Sequence, residues 1–171
     1  SFDMKKYLIA RTAIGSTLRM PLGDIPHVLA VHIFTDASAF VKDDCGGWAF
    51  TVLCQTCLSG SDEPDYVCVG VAAGEYHSYH HSLNYVGGDV LHSFTVELIA
   101  LIWALSWAIS ATDRVNWYGL PLFYFHFDNQ AAGQVAFEAS NGPAEPQLCN
   151  ITAGLAHILR NMAEIQGQHV P

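Results

Sequence analysis

The sequence predicts an α/β domain, a mixed sheet with helices packed on it. Three observations predict it. Three β-prone stretches separated by turns follow one another over residues 28–73. A long apolar helical pattern occupies 94–111. A nearly continuous apolar strand then stands at 122–127, followed by two helical patterns and a last short strand.

Each element has its own signal. Residues 1–28 are punctuated by Gly15-Ser16, Pro21, Gly23 and Pro26 and are expected to be a leader or linker ahead of a domain over 29–171. The first strand runs through Val28-Leu29-Ala30-Val31 into the alternating, β-prone His32-Ile33-Phe34-Thr35-Asp36, and Asp36 is expected to end it. Asp43-Asp44-Cys45-Gly46-Gly47 reads as a turn, Trp48 to Leu53 as a second strand, residues 60–64 as a polar turn, and Tyr66 to Ala73 as a third strand, together an antiparallel meander. Residues 75–91, rich in His, Tyr and Gly, read as loop. Ser93 is expected to cap a helix from Phe94 to about Ala111, in which Leu98, Leu101, Ile102, Leu105 and Ile109 recur at helical spacing. Trp103 and Trp107 widen its apolar surface, so both sides should be covered. Leu122 to Phe127 has the continuous apolarity of a strand covered on both faces. Asn129 to Glu138 is a short helix, 141–143 a breaker, Gln147 to Glu164 a longer helix and Ile165 to Val170 a last strand.

Composition narrows the function classes. Hydrophobic residues are 51% and charged residues 13% of the 171, which excludes a disordered chain. No run of eighteen apolar residues occurs, so no membrane partner is expected. The first residues lack the apolar core of a signal peptide, and five cysteines without a disulfide framework read as reduced thiols in an intracellular protein, cytoplasmic or nuclear. The net charge is -9, and four of the seven basic residues, Lys5, Lys6, Arg11 and Arg19, lie near the N-terminus. The remainder, with only Lys42, Arg114 and Arg160, is distinctly acidic, which disfavours binding polyanions over a broad surface.

Three acids stand where a carboxylate is costly. Asp36 and Asp128 each follow a buried strand, and Glu97 is read in the first turn of an apolar helix. A divalent cation would compensate several such charges at once. Singly, each has an ordinary explanation as a turn, cap or helix-dipole residue; in this order of elements the three become specific.

The surrounding motifs resemble the ribonuclease H-like superfamily. His32-Ile33-Phe34-Thr35-Asp36-Ala37-Ser38 is similar to its first-strand Thr-Asp-Gly-Ser pattern, and Gly46-Gly47-Trp48-Ala49-Phe50 to its second strand. Thr95-Val96-Glu97-Leu98-Ile99-Ala100-Leu101-Ile102-Trp103-Ala104-Leu105 resembles its Ala-Glu-Leu-x-Ala-Leu helix, and Phe125-His126-Phe127-Asp128-Asn129-Gln130 its Thr-Asp-Ser-Gln motif. The match covers about Val31 to the C-terminus and is closest to ribonuclease H domains attached to reverse transcriptases of retroelements.

That resemblance implies a three-layer fold, a five-stranded mixed sheet in the order 3-2-1-4-5 flanked by helices. It implies two Mg²⁺ or Mn²⁺ ions, cleavage of the RNA strand of RNA–DNA hybrids, and an adjacent polymerase-type domain. It carries over Asp36 as the bridge between both ions, Glu97 as a ligand of one beside the scissile region, and Asp128 as a ligand of the ion on the nucleophile side. Ser38, Ser93 and Asn129 become candidates for contacts to the nucleic acid, or else cap and turn residues. Ala37 stands where the family has Gly, and Asn129 where it has Ser. In the family a loop His and a fourth acid on a helix follow the strand that ends at Gln168-His169-Val170-Pro171; His169 lies too early to be that His. The expectation is therefore a piece of a longer protein, without its final helix and impaired or inactive by itself. A catalytically silent scaffold or interaction module is the alternative.

Two local signals compete. Cys54 and Cys57, with Cys68 and the His-rich segment at 76–81, allow a zinc reading that lacks a second tight ligand pair. Ser-His-Asp hydrolysis has no Gly-x-Ser-x-Gly elbow to support it.

Overall fold

The computed structural model describes residues 17–18, 22–57, 65–77, 88, 92–138 and 144–171. Its elements are β1 (Thr17–Leu18), β2 (Val28–Phe40), β3 (Cys45–Thr56), β4 (Asp65–His77), α1 (Ser93–Ala111), β5 (Leu122–Phe127), α2 (Gln130–Phe137), α3 (Pro146–Arg160) and β6 (Glu164–His169). They form one sheet in the order β1-β4-β3-β2-β5-β6. The meander β2-β3-β4 is antiparallel, while β5 and β6 join parallel to β2. The five strands β2 to β6 thus have the expected 3-2-1-4-5 order. The two-residue β1 extends the sheet beyond β4. It comes from the stretch expected to be a leader, which also contributes Leu22 and Ile25 to the core; residues 1–16 and 19–21 lie outside the described residues.

Strand alternation sorts the side chains. On β2, Val31, Ile33 and Thr35 are buried while Phe34 and Asp36 are exposed. On β3, Trp48 and Phe50 join the buried face, where Trp48 stacks on Trp103 of α1 with ring centroids 5.2 Å apart. Helix α1 lies against β2 and β3 and is overlaid by α3, so it is buried nearly all round. By length and composition α1 could cross a membrane, but 83% of its apolar window is buried inside this domain, as in the core helix of a folded unit.

Several sequence expectations need correcting. Strand β2 does not stop at Asp36. Its antiparallel ladder with β3 continues to Phe40↔Cys45, whereas its parallel ladder with β5 ends at Phe34↔His126. Cys45-Gly46-Gly47 is strand rather than turn; the reversal is made by a 3-10 turn at Val41–Asp43 and by Asp44 at φ 50. Glu75-Tyr76-His77 belongs to β4, because Tyr76 is buried and paired with Gly46; of the loop expected over 75–91, residues 78–87 and 89–91 lie outside the described residues, as do the turn at 60–64 and the breaker at 141–143.

Strand β5 is covered on one face only. Phe123, Phe125 and Phe127 are buried, whereas Tyr124 and His126 are half-buried on the other face. There His126 stacks on Phe34 at 4.2 Å and His32 on Tyr124 at 4.8 Å. Half-burial against aromatic neighbours is what makes this strand read as apolar throughout. Helix α1 is capped by His92, whose Nδ1 accepts from the Thr95 N–H at 3.4 Å, and Ser93 is its first helical residue. Glu97 consequently lies beyond the first turn. Helix α3 ends at Arg160, and Glu164 opens β6.

Candidate metal centre

The register explains how two distant aspartates meet. Val31 to Phe34 on β2 pair in order with Phe123 to His126 on β5. Two residues past the last pair, the same offset reaches Asp36 and Asp128. The strands have ceased to pair there, and both side chains are exposed at the end of the β2–β5 ladder. Asp36 accepts a hydrogen bond from the Ala37 N–H at 2.8 Å. Asn129, just after Asp128, caps α2 by accepting from the Ala132 N–H at 2.9 Å, so the backbone turns away immediately after the acid.

Helix α1 supplies the third group. Packed across β2, it brings Glu97, only 5% exposed, to the same point. One carboxylate oxygen from each of Asp36, Glu97 and Asp128 lies within 4.8 Å of the others. Burial above all, then the charges of Asp128 and Asp36 and a carboxyl–carboxyl hydrogen bond with Asp128, pushes Glu97 up to about 8; a hydrogen bond from the Ala37 N–H acts the other way. Among the described residues no positive charge compensates it. The all-oxygen donor set and the crowding of three acids fit a hard divalent cation such as Mg²⁺ or Mn²⁺.

The other candidate residues are placed as follows. Ser38 is exposed on β2 opposite Gly47, on the same side of the strand as Asp36. Ser93 is exposed in the first turn of α1. The side-chain oxygen of Asn129 is engaged in its cap. Among the described residues Cys54, Cys57 and Cys68 do not come together: Cys54 is fully buried on the α1 side, Cys68 is paired with Leu53 on the opposite face, and the Cys57 thiol points at the His27 carbonyl at 3.8 Å; of the His-rich segment at 76–81, residues 78–81 lie outside the described residues. Among the described residues the three acids are the single cluster of potential metal ligands.

Two contacts of the elements that carry the acids were not foreseen from the sequence. His169 Nε2–H donates to the Asp128 carbonyl at 2.9 Å, a contact set by the parallel pairing of Phe127 with His169. Glu145, buried at the start of α3, accepts from the Thr95 hydroxyl at 3.0 Å. Neither has a sequence signal, because both contacts depend on elements far apart in the chain.

No family model and no curated protein matches the chain. Solved structures do. The N-terminal ribonuclease H domain of a Mycobacterium tuberculosis protein, solved as a fusion with maltose-binding protein, matches with a TM-score of 0.54 and 12% identity over 84% of this chain and 83% of that one. Ribonuclease H1 of the halophilic archaeon Halobacterium salinarum matches with a TM-score of 0.45 and 18% identity over 83% and 86%. A ribonuclease H1 isolated from compost, in complex with an RNA/DNA hybrid, gives 0.45 and 17% over 82% and 85%. Taken with the observed strand order, the first of these similarities establishes that the chain has a ribonuclease H-like fold.

Proposed function

We propose that the chain is a metal-dependent endonuclease domain that hydrolyses the RNA strand of RNA–DNA hybrids, with Asp36, Glu97 and Asp128 as its metal-binding and catalytic residues. The observation that carries this reading is the convergence of the three carboxylates at one end of a ribonuclease H-like sheet. Two Mg²⁺ or Mn²⁺ ions, when bound, supply Lewis acidity and lower the pKa of water. Asp36 and Asp128, exposed and at matched register, would hold them, and the resemblance would make Asp36 a ligand of both. Glu97, the buried member of the cluster, would bind as the carboxylate and, as the resemblance implies, would hold one ion beside the scissile region. Ser38, Ser93 and Asn129 are the candidate contacts for the sugar-phosphate backbone, where 2′-hydroxyls distinguish RNA from DNA.

This reading extends to the domain's setting. The motif style supports a reverse transcriptase-type protein of a retroelement, with residues 29–171 as the ribonuclease H-like domain beside a polymerase-type domain. All five cysteines are free thiols, which supports a location inside the cell, in cytoplasm or nucleus.

The test is cleavage of an end-labelled hybrid with Mg²⁺ by the chain, by Asp36→Asn and by Asp128→Asn. Cleavage by the parent and a loss of at least about a hundredfold in each variant is expected for removal of a metal ligand. Equal, residual rates in all three would instead support a catalytically silent ribonuclease H-like module, a reading favoured by the net charge of -9.

A further inference from the structure

Glu145 combines two costly features. Its backbone is left-handed, at φ 53 and ψ 54, although it carries a side chain. Pro146, at the first helical position of α3, narrows the choice by disfavouring the right-handed conformation before it. The residue is also only 4% exposed, where a polar side chain needs hydrogen-bond partners. Its carboxylate does not cap its own helix. It turns instead to the beginning of α1, where the fully buried Thr95 donates its hydroxyl to Glu145 Oε1 at 3.0 Å. The Thr95 N–H in turn donates to His92 Nδ1. The first turn of α1 is thereby tied through Thr95 to the start of α3.

We propose that Glu145 is a positioning residue for the carboxylate cluster: by holding Thr95, it fixes the N-terminal turn of α1 and so sets where Glu97 meets Asp36 and Asp128. The proposal rests on the metal-centre reading above. Thr95 precedes Glu97 by two residues on a helix packed on nearly all sides, and such a helix moves as a unit. A shift of the first turn therefore carries Glu97 with it. Glu145 is outside the group of converging ligand atoms, so its effect on a bound ion passes through α1. Groups hydrogen-bonded directly to a metal ligand change affinity by roughly 10–100-fold, and an effect passed through the helix belongs at the lower end of that range.

The experiment measures Mn²⁺ binding by calorimetry and by the electron paramagnetic resonance signal of free Mn²⁺. It uses the chain, Thr95→Val, which removes the donor at nearly constant volume, and Thr95→Ser, which restores it. Each protein is first shown by circular dichroism to be folded at the temperature used. The expected result is about a tenfold loss of Mn²⁺ affinity in Thr95→Val and recovery in Thr95→Ser. Equal affinity in folded Thr95→Val and the parent overturns the positioning role and leaves the metal centre standing. If the folded parent binds no Mn²⁺, the metal-centre reading itself fails. Should Thr95→Val not fold, Glu145→Ala removes the acceptor from the other side, and unchanged affinity there overturns the proposal equally.

Discussion

At the scale of single residues, the informative group is Glu97. Asp36 and Asp128 face solvent, whereas Glu97 is enclosed by the helix and sheet that place it. With its carboxyl raised to about 8, Glu97 is mostly protonated at pH 7 in the absence of a cation. On the proposed function, binding Mg²⁺ would release most of one proton at pH 7 and far less at pH 9. Calorimetry in buffers of different ionisation enthalpy reads this number directly, and apparent affinity should rise with pH and level off above 8. The same shift governs stability. Because the folded pKa lies above the unfolded one, the contribution of Glu97 is fully present below about 4.5 and is lost as pH rises to about 8. Glu97→Gln keeps the shape and removes the charge. It should stabilise the metal-free protein at pH 9 by on the order of 2 kcal/mol, measured by urea unfolding, while abolishing the stabilisation by Mg²⁺. A variant that gains stability yet loses a ligand marks a site organised for an ion rather than for the apo fold.

At the scale of elements, the site depends on where strands stop pairing and on how closely α2 approaches β5. Gly133 of α2 lies against the ring of Phe127, and a Cβ there would collide with three of its ring atoms. Phe127 is the residue before Asp128, so the close approach and the acid are linked. Gly133→Ala should destabilise the domain by about 1–3 kcal/mol through overpacking and raise the Mg²⁺ concentration needed for half-saturation; chemical unfolding and metal titration of the same sample check both. Element order and most element positions were legible in the sequence, because periodicity and glycine or proline punctuation are local signals. What was not legible is non-local. The extension of β2 past Asp36 comes from its ladder with β3, which outlasts its ladder with β5. The one-sided cover of β5 was hidden because Tyr124 and His126 sit among aromatic neighbours and read as core. Ser93 has the usual chemistry of a cap, but the acceptor for Thr95 is the ring nitrogen of His92, which sequence preferences rank low. The three acids were legible as a set. Their meeting point, given by the common offset of Asp36 and Asp128 from the Phe34↔His126 pair, needed the sheet register.

At the scale of the whole molecule, charge is the main obstacle to a nucleic-acid substrate. The net charge of -9 repels a polyanion. The few cations after residue 28 are partly committed within the fold: Arg160 donates to the carbonyls of Ala136 and Phe137 at the end of α2, and Arg114 to that of Ser110. On the proposed function, phosphate contacts would come largely from Lys5, Lys6, Arg11 and Arg19 and from ions held at the acidic cluster. Counterion release makes this division measurable, since each phosphate neutralised by a basic side chain adds about -0.9 to the slope of log affinity against log salt. Fluorescence anisotropy of the Asp128→Asn variant on a labelled hybrid, at fixed Mg²⁺ and increasing KCl, should give a slope no steeper than about -4. Replacing the four N-terminal basic residues by Gln should flatten it towards zero while the fold, read by circular dichroism, is unchanged. A slope steeper than about -6, or one unaffected by the four substitutions, would mean that the acidic body presents its own cationic surface to the duplex and that the N-terminal cluster is a bystander.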